Sequence, residues 1–216
     1  MPSPAVRHRL DLRLYFVTDH RLAFPTLLSV TRKAVSGGVT LVQLRNPDIG
    51  GRALLEQAIA LKAMLDPLGV PLIVNDRADV AAAAGAAGVH VGQSDLPAAA
   101  ARALLGPDAV VGLSITDAGQ LAAVDGAAVD YLGIGPVFAT GTKPDAAAAL
   151  GLDGTADIVA AAGLPSVAIG GIDAENAAAV AATGVAGLSV VSALSAAEDP
   201  AEAARHLRAV MAARPA

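Results

Sequence analysis

The run Leu41-Val42-Gln43-Leu44-Arg45 carries an amide and a guanidinium two positions apart before Asn46 and Pro47 end it. Alternation along a strand puts Gln43 and Arg45 on one face. Short apolar runs that end in polar groups recur along the chain. Leu72-Ile73-Val74 leads into Asn75-Asp76-Arg77, and Gly88-Val89-His90-Val91 leads into Gly92-Gln93-Ser94-Asp95. Gly112, Ser114 and Thr116 alternate in a fifth run. Later runs are followed by Thr140, Thr142 and Lys143, by Gly170-Gly171, and by Val191-Ser192. Arg45 and Lys143, with amide support from Gln43 and Asn75, suit a charge-rich group such as a diphosphate, which a guanidinium fork and a mobile ammonium can share. Asp76 and Asp95 beside that anion would repel it unless a cation bridged them. Mg2+, held by one or two carboxylates plus phosphate oxygens, is the usual bridge. Gly170-Gly171 with Ser192 can make a second anion site, because glycine lets backbone N–H groups approach a phosphate.

Each feature also has a plainer reading. Arg45 can be an exposed ion pair at a strand end, and Gly170-Gly171 a tight turn. Asp76 and Asp95 both precede segments of helical composition and can be N-caps. His90 reads as a wall or packing residue, and His20 offers nothing stronger. No Ser–His–Asp arrangement is evident, so a nucleophilic serine is not supported.

The elements that must position these groups are eight β-rich runs, at 14–19, 41–45, 72–76, 88–93, 110–115, 131–136, 166–171 and 187–192. Each is too short for a helix, and most are bounded by Gly, Pro or polar residues. Between them lie segments of helical composition, of which 51–65 is the clearest. Asp117 followed by Gln120 opens a helical segment over 116–124 like a capping box, and Asp173 and Asp199 are further N-cap candidates. The segment 77–87 is short. Eight strand–helix units favour a closed (β/α)8 TIM barrel, with an open doubly wound sheet as the alternative. The expected organisation is a single domain over 1–216 with a short N-terminal extension of about 1–12. In a barrel, the C-terminal strand ends form the mouth where active sites lie.

Composition narrows the classes. The 216 residues contain no cysteine, which excludes disulfides, thiolate metal sites and a cysteine nucleophile. The four histidines show no metal-ligand spacing. A net charge of −5 argues against a nucleic-acid surface. No apolar stretch reaches the roughly 18 residues of a membrane span, and the N-terminus lacks the apolar centre of a secretory signal. The cytoplasm is the expected compartment.

The stretches YFVTD, GGVTLVQLR, VNDRADVA, GVHVGQSD, GLSIT, DYLGIGPVFATGTK, VAIGGI and VVSAL occur in an order and spacing that resemble the thiamine-phosphate synthases over nearly the whole chain. That family is a (β/α)8 barrel. It joins 4-amino-5-hydroxymethyl-2-methylpyrimidine diphosphate to 4-methyl-5-(2-hydroxyethyl)thiazole phosphate, giving thiamine phosphate and pyrophosphate. The resemblance implies that Gln43, Arg45, Asn75 and Lys143 hold the pyrimidine diphosphate and that Asp76 and Asp95 are Mg2+ ligands. It places Ser114 near the pyrimidine and diphosphate. Thr140 and Thr142 fall in the loop near the thiazole phosphate and diphosphate, and Gly171, Val191 and Ser192 at the thiazole-phosphate site. It also implies a dissociative reaction, in which diphosphate leaves before the thiazole nitrogen attacks, so no strong nucleophile is needed. Arg45, Lys143 and Ser114 are then the candidate catalytic groups.

Two positions depart from the family pattern. Pro47 stands where the family carries a lysine, with Arg77 a candidate replacement cation. Thr116 stands where related thiazole tautomerases carry a catalytic histidine. The alternatives are a tautomerase-like isomerase, which Thr116 weakens, and a non-catalytic barrel that binds a thiamine precursor or phosphate, which Pro47 supports.

Overall fold

The computed structural model describes residues 10–141 and 147–214. Eight strands pair in sequence order and the eighth closes on the first. They are β1 (Leu14–Val17), β2 (Leu41–Leu44), β3 (Leu72–Asn75), β4 (Gly88–Val91), β5 (Val110–Ile115), β6 (Tyr131–Ile134), β7 (Ser166–Ile169) and β8 (Gly187–Val190). Every pairing is parallel. This is the expected (β/α)8 barrel, not the open sheet.

The helices are α1 (Phe24–Ser36), α2 (Gly51–Leu65), α3 (Ala78–Ala84), α4 (Ala98–Leu105), α5 (Gly151–Ala161), α6 (Ala177–Ala181), α7 (Ser192–Ser195) and α8 (Pro200–Ala212). Helix α2 spans the expected 51–65 and buries Leu54, Ala58, Leu61 and Leu65, a helical stripe turned to the sheet. Helix α3 is as short as its segment suggested, stopped at Gly85 in the left-handed conformation. Asp199 caps α8 by accepting from the N–H groups of Ala201 and Glu202.

The segment 116–124 differs from expectation. Asp117 does cap, accepting from Gly119 N at 2.7 Å, but Ala118–Ala123 coil as a 3₁₀ helix. Gln120 turns its Oε1 to the N–H of Thr116 at 2.9 Å instead of reciprocating to Asp117. The tighter coil is a 3₁₀ connector in place of the α-helix expected there.

Side-chain alternation sorts two cores. Outward residues such as Leu14, Phe16, Val42, Leu44, Val74, Val89 and Val111 pack beneath the helices. Inward residues Tyr15, Leu41, Ile73, Val110, Tyr131 and Val167 fill the lower barrel with Leu12. The barrel is thus plugged from below, and its upper layer is polar. Leu10 and Leu12, the described part of the expected extension, pack against this floor. Residues 1–9 lie outside the described residues. Among the described residues no helix is long and apolar enough to cross a membrane.

Seven strands carry four ladder residues each, fewer than the apolar runs suggested. The polar tails Thr18-Asp19, Arg45, Asp76, Gly92-Gln93, Gly170-Gly171 and Val191-Ser192 fall just past the ladder. They share the C-terminal rim.

Candidate active site

At the end of β2, Gln43 faces inward and donates from Nε2 to the Tyr15 hydroxyl at 2.6 Å. Arg45 continues that row one step past the ladder. Its backbone N–H donates to Thr18 Oγ1 at 2.9 Å, which locks the β1 and β2 tails together. Among the described residues its half-buried guanidinium makes no hydrogen bond or ion pair, so the strand-end ion-pair reading fails. Beyond it the chain turns. Asn46 Oδ1 accepts from Asp48 N at 3.3 Å, with Pro47 exposed between them. The rim row therefore ends at Arg45. Asp48 meets His20 Nε2 at 3.4 Å, joining the loops after β1 and β2.

The two carboxylates stand at neighbouring strand ends. Neither caps a helix: α3 begins after Arg77 and α4 after Pro97, both without a side-chain cap. Asp76 is held at φ 59°, in the left-handed region. A hydrogen bond from Arg77 N to Asn75 O at 2.7 Å closes a γ-turn around it, and its own N–H donates to His90 O at 2.8 Å. Asn75 Nδ2 donates to Asp76 Oδ2 at 2.6 Å. Asp95 folds back so that Oδ2 accepts from Gly92 N at 2.8 Å. Each carboxylate is thus oriented through one oxygen by an amide. Among the described residues no group of three or more His, Asp or Glu side chains gathers. The donor set is two carboxylates, hard oxygen ligands that suit a cation completing its shell with water and phosphate oxygens. Arg77, the candidate replacement cation, has its guanidinium engaged with Asp79 at 2.6 Å.

Ser114 closes a buried hydrogen-bonded chain across the barrel. Its Oγ lies 3.0 Å from His90 Nε2. His90 Nδ1 lies 2.9 Å from the Tyr131 hydroxyl, which lies 2.9 Å from the Tyr15 hydroxyl. Tyr15 then meets Gln43. Burial pushes the His90 pKa down to about 4, against the opposing pull of Asp95, so the ring is neutral near pH 7. Burial also raises both tyrosines above the ordinary phenol range. Two glycines make the space. A Cβ on Gly112 would sit 2.2 Å from the Tyr131 ring and 2.4 Å from His90 Nδ1, and one on Gly133 would sit 2.9 Å from the His90 ring.

Gly171 and Ser192 are exposed and Val191 is half-buried, at the ends of β7 and β8. Gly170 and Gly171 take φ of 104° and 65°, and a Cβ on either would strike Pro136 or Phe138. Close packing of the 136–138 segment is thus one reason for these glycines. Thr140, half-buried, lies on the same segment. Thr142 and Lys143 lie outside the described residues. Beneath α7, Asp19 Oδ2 accepts from Ser195 Oγ at 3.0 Å and from Arg21 at 2.7 Å. The Arg21 guanidinium holds the Asp19 carboxyl down at about 2. Sequence reasoning missed Asp19, and it placed His90 without its partners. The available signal was a histidine and tyrosines in otherwise aliphatic strands beside the glycines at 112 and 133.

These features define a (β/α)8 barrel with a polar, carboxylate-bearing mouth. Residues 14–194 match the family described as thiamine monophosphate synthase, and the chain belongs to that family. It is 56% identical over 205 residues to the thiamine-phosphate synthase of Azorhizobium caulinodans, covering 94% of this chain and 97% of that one. It is 49% identical over 199 residues to the thiamine-phosphate synthase of Vibrio parahaemolyticus, covering 92% and 98%. A solved thiamine phosphate pyrophosphorylase from Pyrococcus furiosus superposes with a TM-score of 0.84 at 35% identity, covering 95% of this chain and 98% of that one.

Proposed function

We propose that this chain is a transferase that condenses 4-amino-5-hydroxymethyl-2-methylpyrimidine diphosphate with 4-methyl-5-(2-hydroxyethyl)thiazole phosphate, releasing pyrophosphate and thiamine phosphate. The observation that supports it most is the rim itself. Two carboxylates that cap no helix stand at adjacent strand ends, with Asn75 against one of them and the uncommitted Arg45 on the neighbouring strand. Such a rim suits a diphosphate leaving group.

Arg45 and Lys143 would take up the charge that builds on the departing diphosphate, and Gln43, Asn75 and Ser114 would orient the pyrimidine end. Asp76 and Asp95 would hold Mg2+, which when bound neutralises diphosphate charge and so eases its departure. Thr140, Thr142, Gly171, Val191 and Ser192 would seat the thiazole phosphate. Positioning and charge stabilisation then suffice, and no nucleophilic side chain is required. Phosphorylated substrates do not cross bilayers unaided, which supports a cytoplasmic setting. The position of the tautomerase histidine holds Thr116, whose N–H is occupied by Gln120. This weighs against the isomerase reading.

The test is incubation of the pure protein with both substrates and Mg2+, following thiamine phosphate through its oxidised fluorescent form. Product is expected only with all three present. Ligand binding without product would overturn the reading in favour of a non-catalytic barrel. Asp95→Asn should cut turnover on the order of 10²–10³-fold and raise the Mg2+ requirement. An unchanged rate and Mg2+ response would reduce Asp95 to the turn that it closes on Gly92.

A further inference from the structure

The chain Gln43–Tyr15–Tyr131–His90–Ser114 spans five strands and contains one donor–acceptor decision. Gln43 Nε2 donates to Tyr15. Either hydroxyl of the 2.9 Å Tyr15–Tyr131 pair can donate, and the order that gives the Tyr15 proton a partner sends it to Tyr131. The Tyr131 proton goes to His90 Nδ1 at 2.9 Å. If His90 accepts at Nδ1, its proton sits on Nε2, 3.0 Å from Ser114 Oγ, to which it donates. Ser114 is left with its hydroxyl proton and one lone pair outside the chain, and Gln43 with its Oε1 and its second Nε2–H.

We propose that this buried relay orients the two substrate-facing ends, leaving the Gln43 Oε1 free to accept and the Ser114 hydroxyl proton free to donate, with Tyr15, Tyr131 and His90 as positioning residues. The inference rests on the placement of Gln43 and Ser114 against the substrate given above. The site then selects a ligand edge that offers an N–H to Gln43 and an acceptor to Ser114. An aminopyrimidine carries both kinds of group. A ligand with the opposite pattern would leave the Gln43 Oε1 and the Ser114 proton unpaired unless the relay reversed. The construction is specific. Two glycines make room for His90 and Tyr131, and among the described residues the buried tyrosine hydroxyls bond to each other, Gln43 and His90.

Two measurements test it. The ¹⁵N shifts of the His90 ring in the wild-type protein should report the Nε2–H tautomer. Nδ1–H would mean that the relay runs the other way and would overturn the proposal. Second, Tyr131→Phe should lower kcat/KM about tenfold in wild type but less than twofold in a Ser114→Ala background, because both changes break the same chain. Full additivity in this cycle would overturn the relay. If Tyr131→Phe does not fold, Tyr15→Phe removes the adjacent hydroxyl and serves in the same cycle. Undiminished turnover in Ser114→Ala would instead remove the placement of Ser114 at the substrate, so the two failures are distinguishable.

Discussion

Asp76 is the described residue other than glycine at positive φ, and it sits on the rim. Such conformations cost roughly 1–3 kcal/mol and persist where the surroundings impose them. Asp76→Gly should therefore leave stability equal to wild type or up to about 1 kcal/mol higher, since strain relief is partly offset by glycine's chain entropy. Turnover should fall at least about 100-fold, on the scale of a lost electrostatic group. Urea unfolding alongside the synthase assay checks both; a clear loss of stability would mean that the carboxylate holds the turn together. Arg45→Ala should cost on the order of 10²-fold in kcat/KM with little change in stability, because among the described residues its guanidinium has no partner to lose. Equal substrate affinity and turnover would make the row structural. Most rim residues were legible because polar groups at the ends of apolar runs are improbable without a reason. The γ-turn at Asp76 was not, since Asn-Asp-Arg is compatible with an ordinary helix cap. The bend at Pro47 was legible only as a break in the pattern. Its exposure depended on Asn46 accepting from Asp48.

At the scale of elements, the tie between the β1 tail and α7 carries a pH dependence. The Asp19 carboxyl is held below its ordinary value, so the stability it contributes is present above about pH 4 and lost as pH falls towards 2. Arg21 is half exposed, which limits the pair to about 1 kcal/mol. Asp19→Asn should flatten the acid limb of the unfolding curve by that amount. It should also raise KM for the thiazole phosphate, because Ser195 loses the anchor that sets α7. An unchanged acid limb would show that Asp19 titrates alike in both states. The strands and long helices were readable from alternation and from the stripe of α2. The 3₁₀ connector was not, because a good cap at Asp117 specifies that a helix starts but not how tightly it coils.

For the whole molecule, a clasp at the bottom of the barrel ties a helix to two strands. Arg102 Nη2 meets Asp130 Oδ2 at 2.5 Å, and the same guanidinium donates to the carbonyls of Gly106, Ala109 and Ala128. Asp130 Oδ2 also accepts from Val111 N at 2.8 Å. Helix α4 is thereby stitched to β5 and β6. Arg102→Ala should cost about 2–3 kcal/mol, since it removes the charge-assisted bond to Asp130 and the donors to three backbone carbonyls. Turnover of the fraction that remains folded should be unchanged, because the clasp lies at the opposite end from the rim. A cost under about 1 kcal/mol in denaturant unfolding would mean that water replaces the guanidinium. The barrel itself was legible from the count of strand–helix units. The relay was not, because it joins residues far apart in the chain whose meeting depends on closure.

The turn at Asn46-Pro47-Asp48 begins after the β2 ladder has ended at Leu44. A proline there withholds an N–H that the sheet does not use. A lineage can therefore exchange a lysine for a stiffer backbone at this position, or reverse the exchange, without renegotiating the barrel. Side-chain charge at this turn is thus set independently of the strand pairing beneath it.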